Sequence, residues 1–366
     1  MKKIIENVKF IQDGTLVFGD LHLEDGFVER IDYKTPHMES SLVIPGFVDI
    51  HTHGCMGIDA DSTDAEQLQR LATLYPKVGV TAFCATISSR SLEEYIPVIE
   101  AYKKAFQGAY KGARFMGLHL EGPYLNPSKA GSIDVTKIHA IHIPELDTFL
   151  SNHHDMIRIM TIAPELENAM EAIRLLHLYG IEVSLGHTQA SYEIAQEAFE
   201  NGASQITHLG NTMPRLDHHK ETMMDAVFLN PVLCEIIMDG IHMQKHMLQW
   251  VITLLGAQRV IAVSDSKYAG LASDHPVDIN EHIRLDGAVY EDGKLVKGCQ
   301  DLLTTFTLLR KELHYNLIDC IAMCSTNAAK MLKTYTHEIS LGKQIDFVIL
   351  DHNLNLQDVV IGGKSV

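Results

Sequence analysis

No run of 18 consecutive apolar residues occurs in the chain, so no segment reads as a membrane span. The N-terminus MKKIIENVKFIQDGTLVFGD starts on two adjacent lysines but has no long apolar core. Its alternation suits β-structure rather than a secretory signal. Cysteine is sparse: the six residues at 55, 84, 234, 299, 320 and 324 form neither a CxxC nor a regular framework. That pattern argues against a disulfide scaffold and suits a reducing cytoplasm. Positive charge is also short. Thirty Lys and Arg face 47 Asp and Glu, for a net charge of −17, which argues against a nucleic-acid surface. An anionic ligand would therefore need a locally positive pocket. No GxGxxG follows a strand-like segment, which weighs against a dinucleotide-binding open sheet. There is no low-complexity tract and no close internal repeat.

What is present is an ordinary globular composition, 46% hydrophobic and 21% charged, over 366 residues. That length accommodates one large barrel and one small domain. Residues 1–44 read as short strands with turns at Asp13-Gly14 and Asp25-Gly26. The C-terminal stretch EISLGKQIDFVILDHNLNLQDVVIGGKSV has the same character. Two β-rich ends predict one small β-sandwich domain built from residues 1–44 and 335–366. Between them apolar strands alternate with amphipathic helices. Eight strands are expected: GFVDIHTHG, VTAFCATIS, FMGLHLEGP, IRIMTIAPE, IEVSLGHT, SQITHLGN, LCEIIMDGIH and RVIAVSDS. Helical patterns such as DAEQLQRLATLYPKVG and SLEEYIPVIEAYKKAF fall between them. Eight such units predict an α/β fold, a (β/α)8 TIM barrel over residues 45–334.

Histidine is abundant, with 21 residues, so position matters more than number. His51 and His53 end the first expected strand at i, i+2 spacing, which places both on one face. The other strand ends carry His119 and Glu121, His187, His208, Asp239 and His242, and Asp265. Singly, each has a plainer reading: a helix cap for Glu121 or Asp265, a satisfied buried imidazole for His187. Barrel active sites, however, gather at the C-terminal ends of the strands. Together the residues predict a divalent metal centre, with Cys55 packed beside it. Imidazole and carboxylate donors suit Zn²⁺ first and also accept Fe²⁺, Mn²⁺ or Co²⁺. A metal acidifies water and polarises a carbonyl. Asp265 can move a proton from that water to a leaving amine. The chemistry expected is hydrolysis of a C–N bond.

These motifs carry a resemblance. The segments IPGFVDIHTHG, GLHLEGPYLNP, SLGHT, THLGNTM, MDGIHM, VSDS, STNAAKML and SLGKQIDFVILD are similar to the amidohydrolase superfamily and, within it, to the N-acetylglucosamine-6-phosphate deacetylase family. HLEGPYLNP is the most specific of them. The resemblance implies that Glu121, His187 and His208 hold the main ion and that His51 and His53 allow a second. It makes Asp265 a general base and then an acid. It assigns His242, Asn211 and the backbone at Thr212 to the substrate's phosphate or nearby hydroxyls. The implied substrate is an amino-sugar phosphate, N-acetylglucosamine 6-phosphate. Its galacto epimer or another amide, open or cyclic, is the alternative. A homodimer is implied as well, with no nucleic-acid or membrane partner. Two positions depart from the family. Ile133, in NPSKAGSIDVTK, stands where the family has a carbonyl-polarising histidine, leaving His139, His142 or the second ion to do that work. Lys220, in HKETM, is nearest to the family's arginine that reaches the phosphate across a dimer, and a lysine lacks the bidentate fork.

Overall fold

The computed structural model describes residues 2–37, 39–270, 278–279, 282–285, 288–291, 294–333 and 339–366. The expected domain boundary at 334–335 lies outside them.

All eight expected barrel strands form, in the expected order. They are Phe47–Thr52, Val80–Ser88, Arg114–Glu121, Ile157–Ile162, Glu182–Leu185, Ala203–Ile206, Leu233–Ile237 and Val260–Val263. Each pairs in parallel with the next, from the first to the eighth. The first strand shows why: all six residues of FVDIHT are buried, as a strand covered on both faces requires. The intervening helices start where the local chemistry allows. Ser91 Oγ accepts from the Glu94 amide at 3.2 Å while Glu94 Oε2 accepts from the Ser91 amide at 3.0 Å. This capping box satisfies two otherwise orphaned donors of helix Leu92–Phe106. Asp64 and Ser191 cap helices Ala65–Leu74 and Tyr192–Glu200 in the same sense. The helices bury Leu68, Leu71, Tyr95, Val98, Tyr102 and their neighbours against the barrel. Fully burying such a side chain is worth about 1.5–3 kcal/mol.

The barrel closes between the eighth strand and the first. The Asp265 amide donates to the His51 carbonyl at 2.9 Å, and the Ser264 amide to Asp49 Oδ1 at 3.4 Å. Beyond the strands the two following loops are laced together. His53 N–H donates to Ser266 O at 3.2 Å, Met56 N–H to Ala269 O at 3.0 Å and Gly57 N–H to Lys267 O at 3.2 Å. Thr52 Oγ1 also donates to Ser266 O at 3.2 Å.

The two ends of the chain share one seven-stranded sheet. Phe347–Leu350 pairs antiparallel with Ser41–Pro45, Phe347 opposite Pro45 and Leu350 opposite Leu42. Val8, Phe10, Leu21, Val28, Val43, Phe347 and Val360 form its core. The Arg114 guanidinium, at the start of the third barrel strand, donates to Asp346 Oδ1 at 3.0 Å and ties the sheet to the barrel. A further four-stranded antiparallel sheet, Asp278–Ile279, His282–Leu285, Ala288–Glu291 and Lys294–Gly298, follows the eighth barrel strand. The sequence reading did not anticipate it, although Asp286-Gly287 and Asp292-Gly293 are hairpin-type dipeptides.

The lumen beneath the catalytic face is unusually polar for a barrel, where branched apolar side chains normally fill the layers. His119 Nε2 lies 2.8 Å from Thr161 Oγ1, which lies 2.8 Å from Thr207 Oγ1, itself 2.6 Å from Ser184 Oγ. All four residues are fully buried. The apolar neighbours in the strands, Val48, Ile50, Ile159, Ile261 and Val263, pack instead with Ala328, Ala329 and Met331.

Candidate metal centre

Six residues from five strand ends converge at the C-terminal mouth of the barrel. Glu121, the last residue of the third strand, is at the middle. Its Oε1 lies 3.1 Å from His187 Nε2, 3.3 Å from His208 Nε2 and 3.6 Å from His51 Nε2. Its Oε2 lies 3.4 Å from His53 Nε2. Asp265 Oδ1 completes the ring, 3.2 Å from His53 Nε2 and 3.5 Å from His51 Nε2. His51, His53, Glu121, His187 and His208 are all buried.

The backbone bends to achieve this. His187, His208 and Asp265 sit two residues beyond their strands in the left-handed region, with φ of +47°, +31° and +43°. Non-glycine residues occupy that region at a cost of order 1–3 kcal/mol each. Their placement at one site marks a geometry held by its surroundings. Hydrogen bonds fix the ring orientations. The Lys129 carbonyl can only accept, so His187 Nδ1, 2.9 Å away, carries the hydrogen and Nε2 faces Glu121. Glu235 Oε2, 2.8 Å from His51 Nδ1, orients that ring likewise.

The donor set fits a divalent cation. His51 Nε2 is buried and makes no hydrogen bond, yet it points between two carboxylates. His187 Nε2 and His208 Nε2 approach to 3.0 Å. Two groups of three donors meet at Glu121: Glu121 with His187 and His208, and Glu121 with His51 and His53. The electrostatics agree. Burial disfavours a charged His51, but Asp265, Glu235 and Glu121 outweigh it and raise the imidazole to about 10. Burial likewise opposes ionisation of Glu121, yet hydrogen bonds from His187, His208 and His53 hold its carboxyl well below the ordinary value. Burial also opposes ionisation of Asp265, and the His51 charge and the His53 contact keep it below the usual carboxylate range. Ionised carboxylates that draw protons onto imidazoles form a site where a cation can replace those protons.

The cluster floors a cavity of about 580 Å³. Asn211, Thr212 and His242 line its wall. His242 Nδ1 lies 2.6 Å from Asp239 Oδ2. Burial lowers this imidazole, but the Asp239 hydrogen bond and charge reverse the effect and raise it. Ile133 lines the cavity, whereas His139 and His142 do not; His142 instead precedes helix Ile143–His153 as its cap. Cys55 is buried in the main hydrophobic core, its Sγ 3.4 Å from Ala269 O, and does not line this cavity. Lys220 is the expected site residue that stays apart. It is exposed and lines a second cleft with Lys129, Arg215 and Thr222.

Sequence reasoning missed other lining residues of the cavity: Ser88, Ser89 and Arg90 at the end of the second strand, and Asp134 and Lys137 after the third. Arg90 is paired with Asp61, and Lys137 with Glu94 at 2.7 Å. A basic residue straight after a strand, as in ISSR, was the available signal.

Comparison with known proteins agrees with this geometry. Over 94% of its length the chain is 28% identical to an N-acetylglucosamine-6-phosphate deacetylase of Lysinibacillus sphaericus, covering 92% of that protein. It is 26% identical to an N-acetylgalactosamine-6-phosphate deacetylase of Escherichia coli O157:H7, covering 96% of each chain. The crystal structure of N-acetylglucosamine-6-phosphate deacetylase from Pasteurella multocida superposes with a TM-score of 0.90 over 100% of both chains, at 25% identity. The amidohydrolase family model matches residues 42–366, and the chain belongs to the amidohydrolase family.

Proposed function

We propose that this protein is a metal-dependent hydrolase that removes the acetyl group from N-acetylglucosamine 6-phosphate, giving glucosamine 6-phosphate and acetate. The observation that carries the reading is the Glu121 carboxylate, faced by four imidazole Nε2 atoms with Asp265 beside them. It lies in a chain that aligns with deacetylases over nearly its whole length. Glu121, His187 and His208 would hold one divalent ion, zinc first among the candidates. His51 and His53, with Glu121 Oε2, would hold a second. Such an ion supplies Lewis acidity that acidifies water and polarises the acetyl carbonyl. Asp265 takes a proton from the attacking water and returns it to the sugar nitrogen as the C–N bond breaks. Asn211, Thr212 and His242 orient the phosphorylated sugar in the cavity that Asp134 and Lys137 also line.

The chain acts as a homodimer in this reading. The exposed Lys220 segment can then reach a partner's cavity rather than its own. Helix Lys245–Leu255 supports a covered face, since it leaves Met247, Trp250 and Leu254 exposed at i, i+3 and i+7 spacing. A reducing, cytoplasmic setting fits six cysteines that are all buried and show no CxxC spacing. No described helix is long and apolar enough to cross a membrane.

The test is acetate release from N-acetylglucosamine 6-phosphate, its galacto epimer and the unphosphorylated sugar, using zinc-loaded protein. Turnover confined to the phosphorylated gluco sugar supports the proposal. Zinc-loaded protein that is inactive on all three, yet hydrolyses another amide, overturns it. Ile133 in the cavity wall is the observation that favours that second reading.

A further inference from the structure

One fully buried carboxylate lies outside both the ligand set and the proton path above. Glu235 lies in the middle of the seventh barrel strand, within the apolar run LCEII, and is 0% exposed. An isolated ionised carboxylate in such a place is costly unless every lone pair finds a donor. Its donors are specific. Oε2 accepts from His51 Nδ1 at 2.8 Å and from the His208 backbone amide at 3.3 Å. Oε1 accepts from Gln205 Nε2 at 2.5 Å. The Glu235 main-chain carbonyl accepts from the Leu209 amide at 2.8 Å. One residue therefore grips a histidine of the first strand and both peptide groups around a histidine of the sixth. That second histidine is held at a strained φ of +31°.

We infer that Glu235 is a positioning residue of the metal centre, a buried acceptor that aims His51 Nε2 at the ions and holds the His208 turn in register with it. The inference rests on the metal reading proposed above. Ring orientation follows from the acceptor: with Nδ1–H committed to Glu235, only Nε2 of His51 is left for a cation, and that atom has no hydrogen bond. Without the acceptor the ring is free to rotate about its two side-chain torsions, and the His208 amide loses a partner. Carboxylate–histidine–metal pairs of this kind typically account for about 10–100-fold in metal affinity.

The experiment compares zinc content and affinity, by elemental analysis and chelator competition, in the wild type, H51A, E235A and E235Q. The thermal midpoint of each metal-free protein is measured in parallel. E235A is expected to lower zinc affinity about 10–100-fold and to reproduce the stoichiometry of H51A. E235Q keeps an oxygen for His51 Nδ1–H. Its new amide can donate to Gln205, whose Oε1 lacks a partner, once that side chain turns over. E235Q should therefore recover most of the affinity and stay close to the wild type in its metal-free midpoint. If E235A is too unstable to load, the comparison of E235Q with H51A carries the test. Wild-type affinity in E235A overturns the inference, as does an E235Q protein that loses zinc as completely as H51A. A wild type that binds no zinc refutes the metal reading itself, which is a separate result.

Discussion

Asp265 Oδ1 lies 3.2 Å from His53 Nε2, although the two residues belong to the last and first strands of the barrel. The carboxylate is ionised and points into the cavity that holds Glu121. It is thus placed to move a proton between an attacking water and a leaving nitrogen. Asp265→Asn keeps the shape and removes the basicity. Its kcat should fall by about 10²–10⁴-fold, the usual scale of general acid–base catalysis. KM should change far less. Near wild-type turnover in a steady-state assay would remove Asp265 from the proton path.

Lys220 lies on an exposed segment outside its own cavity. If a partner receives it, Lys220→Ala should raise KM for the phosphorylated sugar more than it lowers kcat. The increment should shrink as salt is added, because exposed charges are screened over about 8–10 Å at ordinary ionic strength. Trp250→Glu places a charge in the Met247–Leu254 stripe and should shift sedimentation toward monomer, with KM rising in step. A monomeric variant with unchanged KM would separate Lys220 from substrate binding.

His242 supplies a pH dependence. Its imidazole is raised above 6.5 because the Asp239 hydrogen bond and charge outweigh burial. A raised folded value means that the stabilisation from the Asp239 contact is full below 6.5 and is lost as pH climbs through the folded value. A cationic His242 facing a phosphorylated sugar makes KM rise over the same alkaline limb. Asp239→Asn returns the imidazole toward its ordinary value and should move that limb to lower pH. A KM profile that is identical in wild type and variant would contradict this role.

Chelation should inactivate the protein without unfolding it, since backbone bonds from the Asp265 amide to the His51 carbonyl and from the His53 amide to the Ser266 carbonyl close the barrel. Ligand linkage sets the stability difference: at free zinc 100 times the dissociation constant, about 2.7 kcal/mol. Circular dichroism should show a folded metal-free protein with a lower thermal midpoint, restored by zinc. An unfolded metal-free chain would mean that the ions build the barrel rather than occupy it.

The barrel was legible because its strands are continuous apolar runs that stop at ligand-type residues, and His51, Glu121, His187, His208 and Asp265 all mark such stops. Periodicity and turn chemistry act over a few residues, and that range sets the limit of the reading. Glu235 escaped notice because a charge inside an apolar strand acquires meaning only when the facing strand supplies His51. Arg90 and Lys137 were missed for the same reason, since nothing local places them in one cavity. Lys220 is a different case: the resemblance gives it to a neighbouring subunit's phosphate, and in the single chain it lies outside its own cavity. The four strands Asp278–Ile279, His282–Leu285, Ala288–Glu291 and Lys294–Gly298 were overlooked, although the sequence carries two Asp-Gly dipeptides between 285 and 294.

The lacing of the first loop to the last has a consequence for how the protein is made. Thr52 and Ser266, which meet through a 3.2 Å hydrogen bond, are 214 residues apart in the chain. At ordinary synthesis rates of about 5–20 residues per second, roughly 10–40 s separate their emergence from the ribosome. For that interval His51 and His53 belong to a nascent chain that lacks Asp265. A ribosome-stalled fragment ending before residue 260 should therefore leave the loop after His53 without its Ser266 and Ala269 acceptors. Closure of that side of the mouth is governed by when the last strand docks rather than by when the histidines appear.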